Sequence, residues 1–310
     1  MKCLITGGAG FIGSNLADQL IENGHEVVII DNLSSGKKEN INKKAKFYKI
    51  DIRNDLSVLK IFKKEKPEIV FHLAAQVNVR ESSKKPIKDA EINILGAINI
   101  FENCVKHKVK KIIFSSTGGA MYGDANIIPT PENYYELPMS PYGIAKLTTE
   151  KYLRYYHTVF GLQFIALRFA NVYGPRQNPE GEAGVISIFC DRLLKRQKPI
   201  IFGNGKQTRD FVFVDDVVRA LILAMNIKKI GIFNISTAKE TNVNILLKKM
   251  RVSMGYNIEE IYKAGNTEEQ KRSCLDYAKA ENELNWQPKY NIDQGLVKTI
   301  DWFTKKNGKK

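Results

Sequence analysis

The chain opens on a short apolar run, Lys2-Cys-Leu-Ile-Thr6, and breaks into glycines at 7, 8, 10 and 13. It resumes over residues 15–23 with apolar positions at helical spacing. Gly24 ends that helix, and Glu26-Val-Val-Ile-Ile-Asp31 is a second apolar strand closing on a carboxylate. The alternation then repeats. A strand at 46–50 leads to a helix at 55–64 that stops before Pro67, and a strand at 68–75 follows. A long helix from about Pro86 to His107 precedes a strand at 111–115. Ser140 as N-cap and Pro141 at the first helical position start another helix that runs past Tyr156 to Gly161, and a strand fills 162–169. Strands separated by helices at this regular spacing predict a doubly wound parallel sheet over residues 1–170. Beyond it the rhythm loosens at Gly174, Pro175, Pro179, Gly181 and Gly184, which predicts a smaller lobe from 171–207 and 237–310. Residues 208–236 again read as strand, helix and strand, and are expected to return to the first domain.

Length and composition narrow the class. A chain of 310 residues with 43% hydrophobic residues buries a substantial core. No apolar run approaches the roughly 20 residues that a bilayer-spanning helix needs, and glycines interrupt the N-terminal apolar segment. A soluble, cytoplasmic protein is expected. Cys3, Cys104, Cys190 and Cys274 lie far apart, as do His25, His72, His107 and His157, so reduced thiols and no metal site are expected. The net charge of +15 raises nucleic-acid binding, but the lysine clusters (37–49, 106–111, 305–310) lack interleaved aromatics to stack bases. A solvated surface that draws in an anionic substrate fits them better.

Two constellations carry chemistry. Glycines 7, 10 and 13 between a strand and a helix let the backbone approach a pyrophosphate closely, with the helix N-terminus pointing at it. Asp31, eighteen residues after Gly13, suits a ribose diol and repels a 2′-phosphate, which selects NAD over NADP. Alone, the same residues read as a structural turn with a loop-capping aspartate. Tyr142 and Lys146, one turn apart, project from the same face of the helix begun by Pro141. A phenol has a pKa near ~10, and an adjacent ammonium with an oxidised nicotinamide lowers it towards that of a usable base. Alone, the pair reads as a surface tyrosine and lysine on an amphipathic helix.

In this order, the segments Thr6-Gly-Gly-Ala-Gly-Phe-Ile-Gly13, His72-Leu-Ala-Ala-Gln76, Phe114-Ser-Ser-Thr117, Tyr142-Gly-Ile-Ala-Lys146, Leu167-Arg-Phe-Ala-Asn171-Val-Tyr-Gly-Pro175 and Arg209-Asp-Phe-Val-Phe-Val-Asp-Asp-Val217 resemble the extended short-chain dehydrogenase/reductase family. Within it the chain is most similar to the UDP-glucose 4-epimerase group, over nearly its whole length. The resemblance implies a Rossmann-type nucleotide domain with a smaller α/β substrate lobe, tightly held NAD, a UDP-sugar substrate, and a homodimer through the helices beginning near Pro86 and Pro141. It places Gly7, Gly10, Phe11 and Ile12 at the pyrophosphate, Asp31 and Asn32 at the adenosine ribose, and Asp51 and Ile52 at the adenine. Leu73, Ala74, Ala75 and Gln76 line the dinucleotide cleft, Ser115 and Phe169 border it, and Asn93 supports the catalytic helix. Thr117 takes the hydroxyl role beside Tyr142, with Ser116 as the fallback; on residue type alone, such a strand end is equally a loop cap. Asn171, Val185 and Arg209 meet the nucleotide diphosphate, although Arg209 alone also reads as a surface salt bridge.

The implied reaction is removal of the C4 hydroxyl proton by Tyr142 with hydride transfer to NAD, rotation of the 4-keto sugar, and hydride return to its opposite face. Relatives with dehydratase or decarboxylase activity carry an acid directly after the active-site Thr or Ser. Here Gly118, Gly119 and Ala120 follow Thr117, which favours epimerisation. Where the family shows an Arg-Pro-Gly-Asp-like run, this chain has Asn266-Thr-Glu-Glu269, leaving Arg272 or Lys271 as the substitute phosphate clamp. Ser273 stands where a bulky tyrosine limits some pockets, so N-acetylhexosamines are candidate substrates. Two alternatives stand beside the epimerase: another sugar-nucleotide enzyme (uronate epimerase, 4,6-dehydratase or decarboxylase), and a non-catalytic NAD- or RNA-binding protein.

Overall fold

The computed structural model describes residues 1–180, 184–265 and 270–308. Its strands are apolar on both faces because helices cover both sides of the sheet they form. In β1 (Lys2–Thr6), Cys3 and Ile5 pack into one layer of core while Leu4 packs into the other. β2 (Glu26–Asp31), β3 (Lys46–Lys49), β4 (Ile69–His72), β5 (Lys111–Thr117) and β6 (Phe164–Phe169) join it, all parallel. The chain then leaves the sheet through β7 (Asn171–Tyr173), β8 (Ile200–Phe202) and β9 (Thr208–Phe213), and returns with β10 (Gly231–Ile235) beside β6. The resulting seven-stranded order, β10-β6-β5-β4-β1-β2-β3, reverses between β1 and β4. Ligands bind at such a reversal, outside the C-terminal ends of the strands.

One face of the sheet is covered by α1 (Phe11–Glu22). The other carries α2 (Asp55–Glu65); next come α3 (Val79–Lys84), α4 (Pro86–Ala90), a π-helical turn over Glu91–Leu95 and α5 (Gly96–Lys106), and then α6 (Pro141–Phe160). The expected start of α6 is present in detail: Ser140 accepts from the Gly143 amide, Pro141 opens the helix, and Gly161 closes it with φ +73°. After β6 come α7 (Val185–Leu194) and α8 (Val214–Asn226), and α8 lies against α1.

The smaller lobe is more regular than its glycine- and proline-rich sequence suggests. β11 (Glu240–Asn242), β12 (Ile261–Lys263), β13 (Arg272–Ser273), α9 (Val243–Met254), α10 (Ala278–Leu284) and α11 (Ile292–Asn307) complete it. β9 pairs parallel with β7 and β13 and antiparallel with β11, while β8 pairs with β12. Residues 208–236 therefore divide: β9 stays in the small sheet, and α8 and β10 join the large one. No loop intervenes, since Phe213 both ends β9 and caps α8. The run Asn266–Glu269, Gly181 and the last two residues of the basic tail lie outside the described residues. Among those described, no helix is long and apolar enough to cross a membrane, and all four cysteines are buried.

Candidate active site

The glycine turn is a cradle that side chains would fill. Gly7 has φ +74°, and a Cβ there would stand 2.7 Å from the Ala74 amide nitrogen; at Gly13 it would stand 2.3 Å from the Gly7 carbonyl. Gly10 caps α1 without a capping side chain, and no acid occupies the first turn to compete for its N–H groups and positive end. The donor geometry and the sterically cleared turn fit a dinucleotide pyrophosphate over Phe11 and Ile12. Asp31 ties this turn to the end of β2: its Oδ2 accepts from the Ala9 amide at 3.0 Å and its Oδ1 from the Leu33 amide at 2.8 Å. Burial pushes its carboxyl up, and those two amides oppose the shift. Beside it, Asn32 donates to Asp51 at 3.0 Å, and Arg53 holds both Asp51 oxygens, keeping that carboxyl well below the usual range. Ile52 is buried behind them.

Leu73, Ala74, Ala75 and Gln76 form the half-buried loop after β4, and its Leu73–Ala74 backbone packs against Gly7 of the glycine turn. Under this loop Thr6 Oγ1 and His72 Nδ1 are 2.7 Å apart, and the Ala74 amide donates to the same hydroxyl. Asn93, set inward by the π-helical turn, clamps Gln76 from both sides: its Oδ1 accepts from the Gln76 amide and its Nδ2 donates to the Gln76 carbonyl, each at 2.9 Å. Thr149 of α6 donates to the Asn93 carbonyl at 2.9 Å, so the loop, the π-turn and the Tyr142 helix are one unit.

At the centre, Lys146 is buried and donates from Nζ to the Ser115 carbonyl at 2.9 Å. Its ammonium lies 4.7 Å from the Phe114 ring centroid and 5.9 Å from that of Tyr142. Burial lowers it to about 8, against opposing pulls from Asp89 and Glu150. Tyr142 is half-buried, with its backbone held by the Ser82 hydroxyl at 3.2 Å. A phenol one turn from a cation, at the C-terminal end of a parallel sheet, is arranged to take and return a proton.

The two hydroxyl candidates diverge. Ser116 is buried and donates its one hydroxyl proton to Glu150 at 2.5 Å, so that proton is not offered to a sugar oxygen. Thr117 is half-buried at the strand tip, with its Oγ1 accepting from the Ala120 amide at 3.3 Å. Phe169 is its partner in register on β6. Beyond Thr117, a Cβ on Gly119 would face Asn171 Oδ1 at 3.7 Å and Ser273 Oγ at 3.9 Å, so two expected substrate residues meet at one point. Arg209 pairs in register with Ser273, and its Nη1 donates to the Thr208 carbonyl at 2.8 Å. Val185 is the first residue of α7, capped by Gly184. Arg272 is not turned towards these groups: its guanidinium makes a two-point pair with Glu240 of β11.

Three functional neighbours escape a reading by motif. Arg168, fully buried in β6, reaches Glu150 through Nε at 3.0 Å and Nη2 at 2.6 Å, Glu136 at 2.9 Å and the Tyr122 hydroxyl at 2.6 Å. Asp89 joins Gln76 and Asn93. The available signals were an arginine inside an apolar strand, and Glu150 continuing the Tyr142–Lys146 face by another turn.

Residues 3–236 match the model of the NAD dependent epimerase/dehydratase family. A UDP-glucose 4-epimerase of Mycolicibacterium smegmatis is 40% identical over 313 residues, covering 99% of this chain and 100% of the relative. The crystal structure of a Thermotoga maritima UDP-glucose 4-epimerase with UDP-glucose superposes with a TM-score of 0.98 at 49% identity, covering 99% of this chain and 100% of that one. A Thermus thermophilus UDP-glucose 4-epimerase in complex with NAD superposes with a TM-score of 0.94 at 37% identity, covering 98% and 99%.

Proposed function

The chain belongs to the NAD dependent epimerase/dehydratase family, and from that premise we propose that it is an isomerase interconverting UDP-glucose and UDP-galactose with NAD as bound cofactor. The observation that carries this reading is the Tyr142–Lys146 pair beside the glycine cradle. Tyr142 takes the proton of the sugar C4 hydroxyl and returns it after the sugar has turned. Lys146 supplies the positive charge that makes a phenolate accessible, and Ser115 fixes its position. Thr117 is the hydroxyl that steadies the sugar oxygen, since Ser116 is committed to Glu150. Bound NAD would supply the hydride acceptor when the sugar C4 alcohol is oxidised and, once reduced, the hydride donor to the resulting ketone, so net redox is zero.

Gly118 supports epimerisation over elimination: no acid follows Thr117, and a Cβ there would stand 2.1 Å from Leu275 Cδ1. Asn171, Val185 and Arg209 hold the nucleotide diphosphate in this reading. Small Ser273, next to the space beside Gly119, extends the substrate range to UDP-N-acetylhexosamines. The reading includes a homodimer through α6 and the helical run beginning at Pro86, where Ile87, Leu95, Ile144, Tyr155 and Val159 are exposed apolar side chains. It also includes a cytoplasmic location, which suits four buried thiols.

The test is incubation with UDP-galactose, UDP-N-acetylgalactosamine and UDP-glucuronate, with products resolved by chromatography and mass. UDP-glucose of unchanged mass from UDP-galactose is expected. Loss of water or carbon dioxide from any substrate would replace this reading with a dehydratase or decarboxylase.

A further inference from the structure

The short segment between Thr117 and the start of α6 is tied down by a buried phenol that the reaction as described does not use. Ala120 lies between the carriers of the two reacting hydroxyls. Its amide donates to Thr117 Oγ1 at 3.3 Å, and its carbonyl packs on the first turn of α6, where a Cβ on Gly143, the residue after Tyr142, would stand 2.5 Å from it. Two residues on, Tyr122 is only 3% exposed. Its hydroxyl accepts from Arg168 Nη1 at 2.6 Å and donates to Asn234 Oδ1 at 3.2 Å, and the guanidinium carbon lies 5.1 Å from its ring centroid. Burial pushes this phenol up to about 12, so it keeps its proton and serves as a donor, not a base. The other arms of the guanidinium close a circuit. Nε and Nη2 hold Glu150, one turn beyond Lys146 on α6, and Nη2 also reaches Glu136, four residues before the Ser140 cap. Arg168 thus anchors the loop through Tyr122 and the helix through Glu150, with Ala120 wedged between Thr117 and the helix start.

We propose that Tyr122 is a positioning residue for the reaction: pinned to Arg168, it holds the Ala120 wedge that sets the spacing between the Thr117 hydroxyl and the Tyr142 turn. Both groups serve one sugar oxygen, and a misplacement of about 1 Å between groups that act together costs up to roughly 10²-fold in rate. The kinetic part of this inference rests on the epimerase reading; the spacing itself does not.

Tyr122→Phe removes one oxygen and keeps the ring. Measured well below the melting temperature, its kcat for UDP-galactose is expected to fall roughly tenfold, with KM and bound NAD retained. Because the effect runs through Thr117, the same change made in Thr117→Ala should cost less than about twofold. An unchanged kcat in Tyr122→Phe, or an equal fold loss in both backgrounds, overturns the inference, since a tyrosine of purely structural value gives one or the other. Amide exchange in the NAD-loaded protein reads the spacing without turnover. Peptides over 117–122 and 141–146 are expected to exchange together about tenfold faster in Tyr122→Phe. Exchange that is unchanged, or faster in 117–122 alone, overturns the inference. If Tyr122→Phe does not fold, Gly143→Ala is read instead: its Cβ displaces the Ala120 carbonyl from the helix side and must show the same dependence on Thr117, and wild-type kcat there overturns the inference too. Coupled faster exchange in a protein that leaves UDP-galactose unchanged would contradict the epimerase reading alone.

Discussion

The Ser116 hydroxyl donates to Oε1 of Glu150 at 2.5 Å, and this bond separates it from Thr117, its neighbour on β5. Ser116 serves the buried pair of Glu150 and Arg168, whereas Thr117 stands at the strand tip beside the crevice. Ser116→Ala is expected to keep kcat close to wild type and to lose about 1.5–3 kcal/mol of stability, the range for a hydrogen bond to a charged group. Thr117→Ala should retain its melting temperature and lose roughly 10²-fold in kcat, as for removal of one donor at a reacting oxygen. Steady-state kinetics and thermal melts on the two variants separate these roles.

Arg168 is fully buried and its guanidinium serves Glu150, Glu136 and Tyr122. Arg168→Met leaves Glu150 as an unpaired buried charge, which costs about 3–5 kcal/mol. Adding Glu150→Leu removes that charge and should recover part of the loss. Urea denaturation of the single and double variants measures both.

Gly118 sits against Leu275 so closely that any side chain must displace it, the nearest Cδ1 being 2.1 Å from a built Cβ. Gly118→Asp therefore installs the acid found in eliminating relatives only by displacing the buried Leu275 side chain, two residues after Ser273. The expected result is a loss of kcat/KM for UDP-galactose of at least about tenfold, near 1.4 kcal/mol, without release of water from the sugar. Mass analysis of the product is the check.

His72 is buried, stacked on Phe114 and held down to about 3, against 6.5 for an ordinary histidine. Between those values the unfolded chain binds the extra proton, so this contribution to stability is complete above pH 6.5 and falls as the pH drops. Each unit costs about 1.4 kcal/mol. His72→Asn lacks that dependence, and Asp210, buried and raised to about 6, titrates equally in both proteins. The stability advantage of wild type over His72→Asn should thus shrink by about 2 kcal/mol between pH 6.5 and pH 5. Denaturation curves at a series of pH values measure it; a constant difference would mean that His72 is protonated in the fold.

Much of the larger domain was legible because its signals are local. Gly7 is required by its positive φ and Gly13 by its approach to the Gly7 carbonyl, and Ser140, Pro141 and Gly161 punctuate α6 in sequence. The smaller lobe was harder to read because its strands are two to six residues long and their partners are distant: Asn171 faces Phe211, and Arg272 faces Thr208. Periodicity has nothing to work on in a three-residue strand such as β7. In the site, the Tyr142–Lys146 spacing was readable, but the engagement of Ser116 by Glu150 depends on a pairing thirty-four residues away. Arg272, which with Lys271 is a candidate substitute phosphate clamp by sequence, likewise pairs with a distant residue, Glu240. Asp89 lay hidden because an aspartate on a helix ordinarily faces water; only the π-turn that brings Asn93 inward makes its position evident.

The most direct measurement is the turnover of UDP-galactose by Tyr142→Phe with its NAD content determined on the same sample. The account predicts bound NAD at the wild-type level and a rate lower by roughly 10²–10⁴-fold, the usual contribution of a positioned general base. Wild-type turnover in that variant would contradict the assignment of the proton to the Tyr142 phenol.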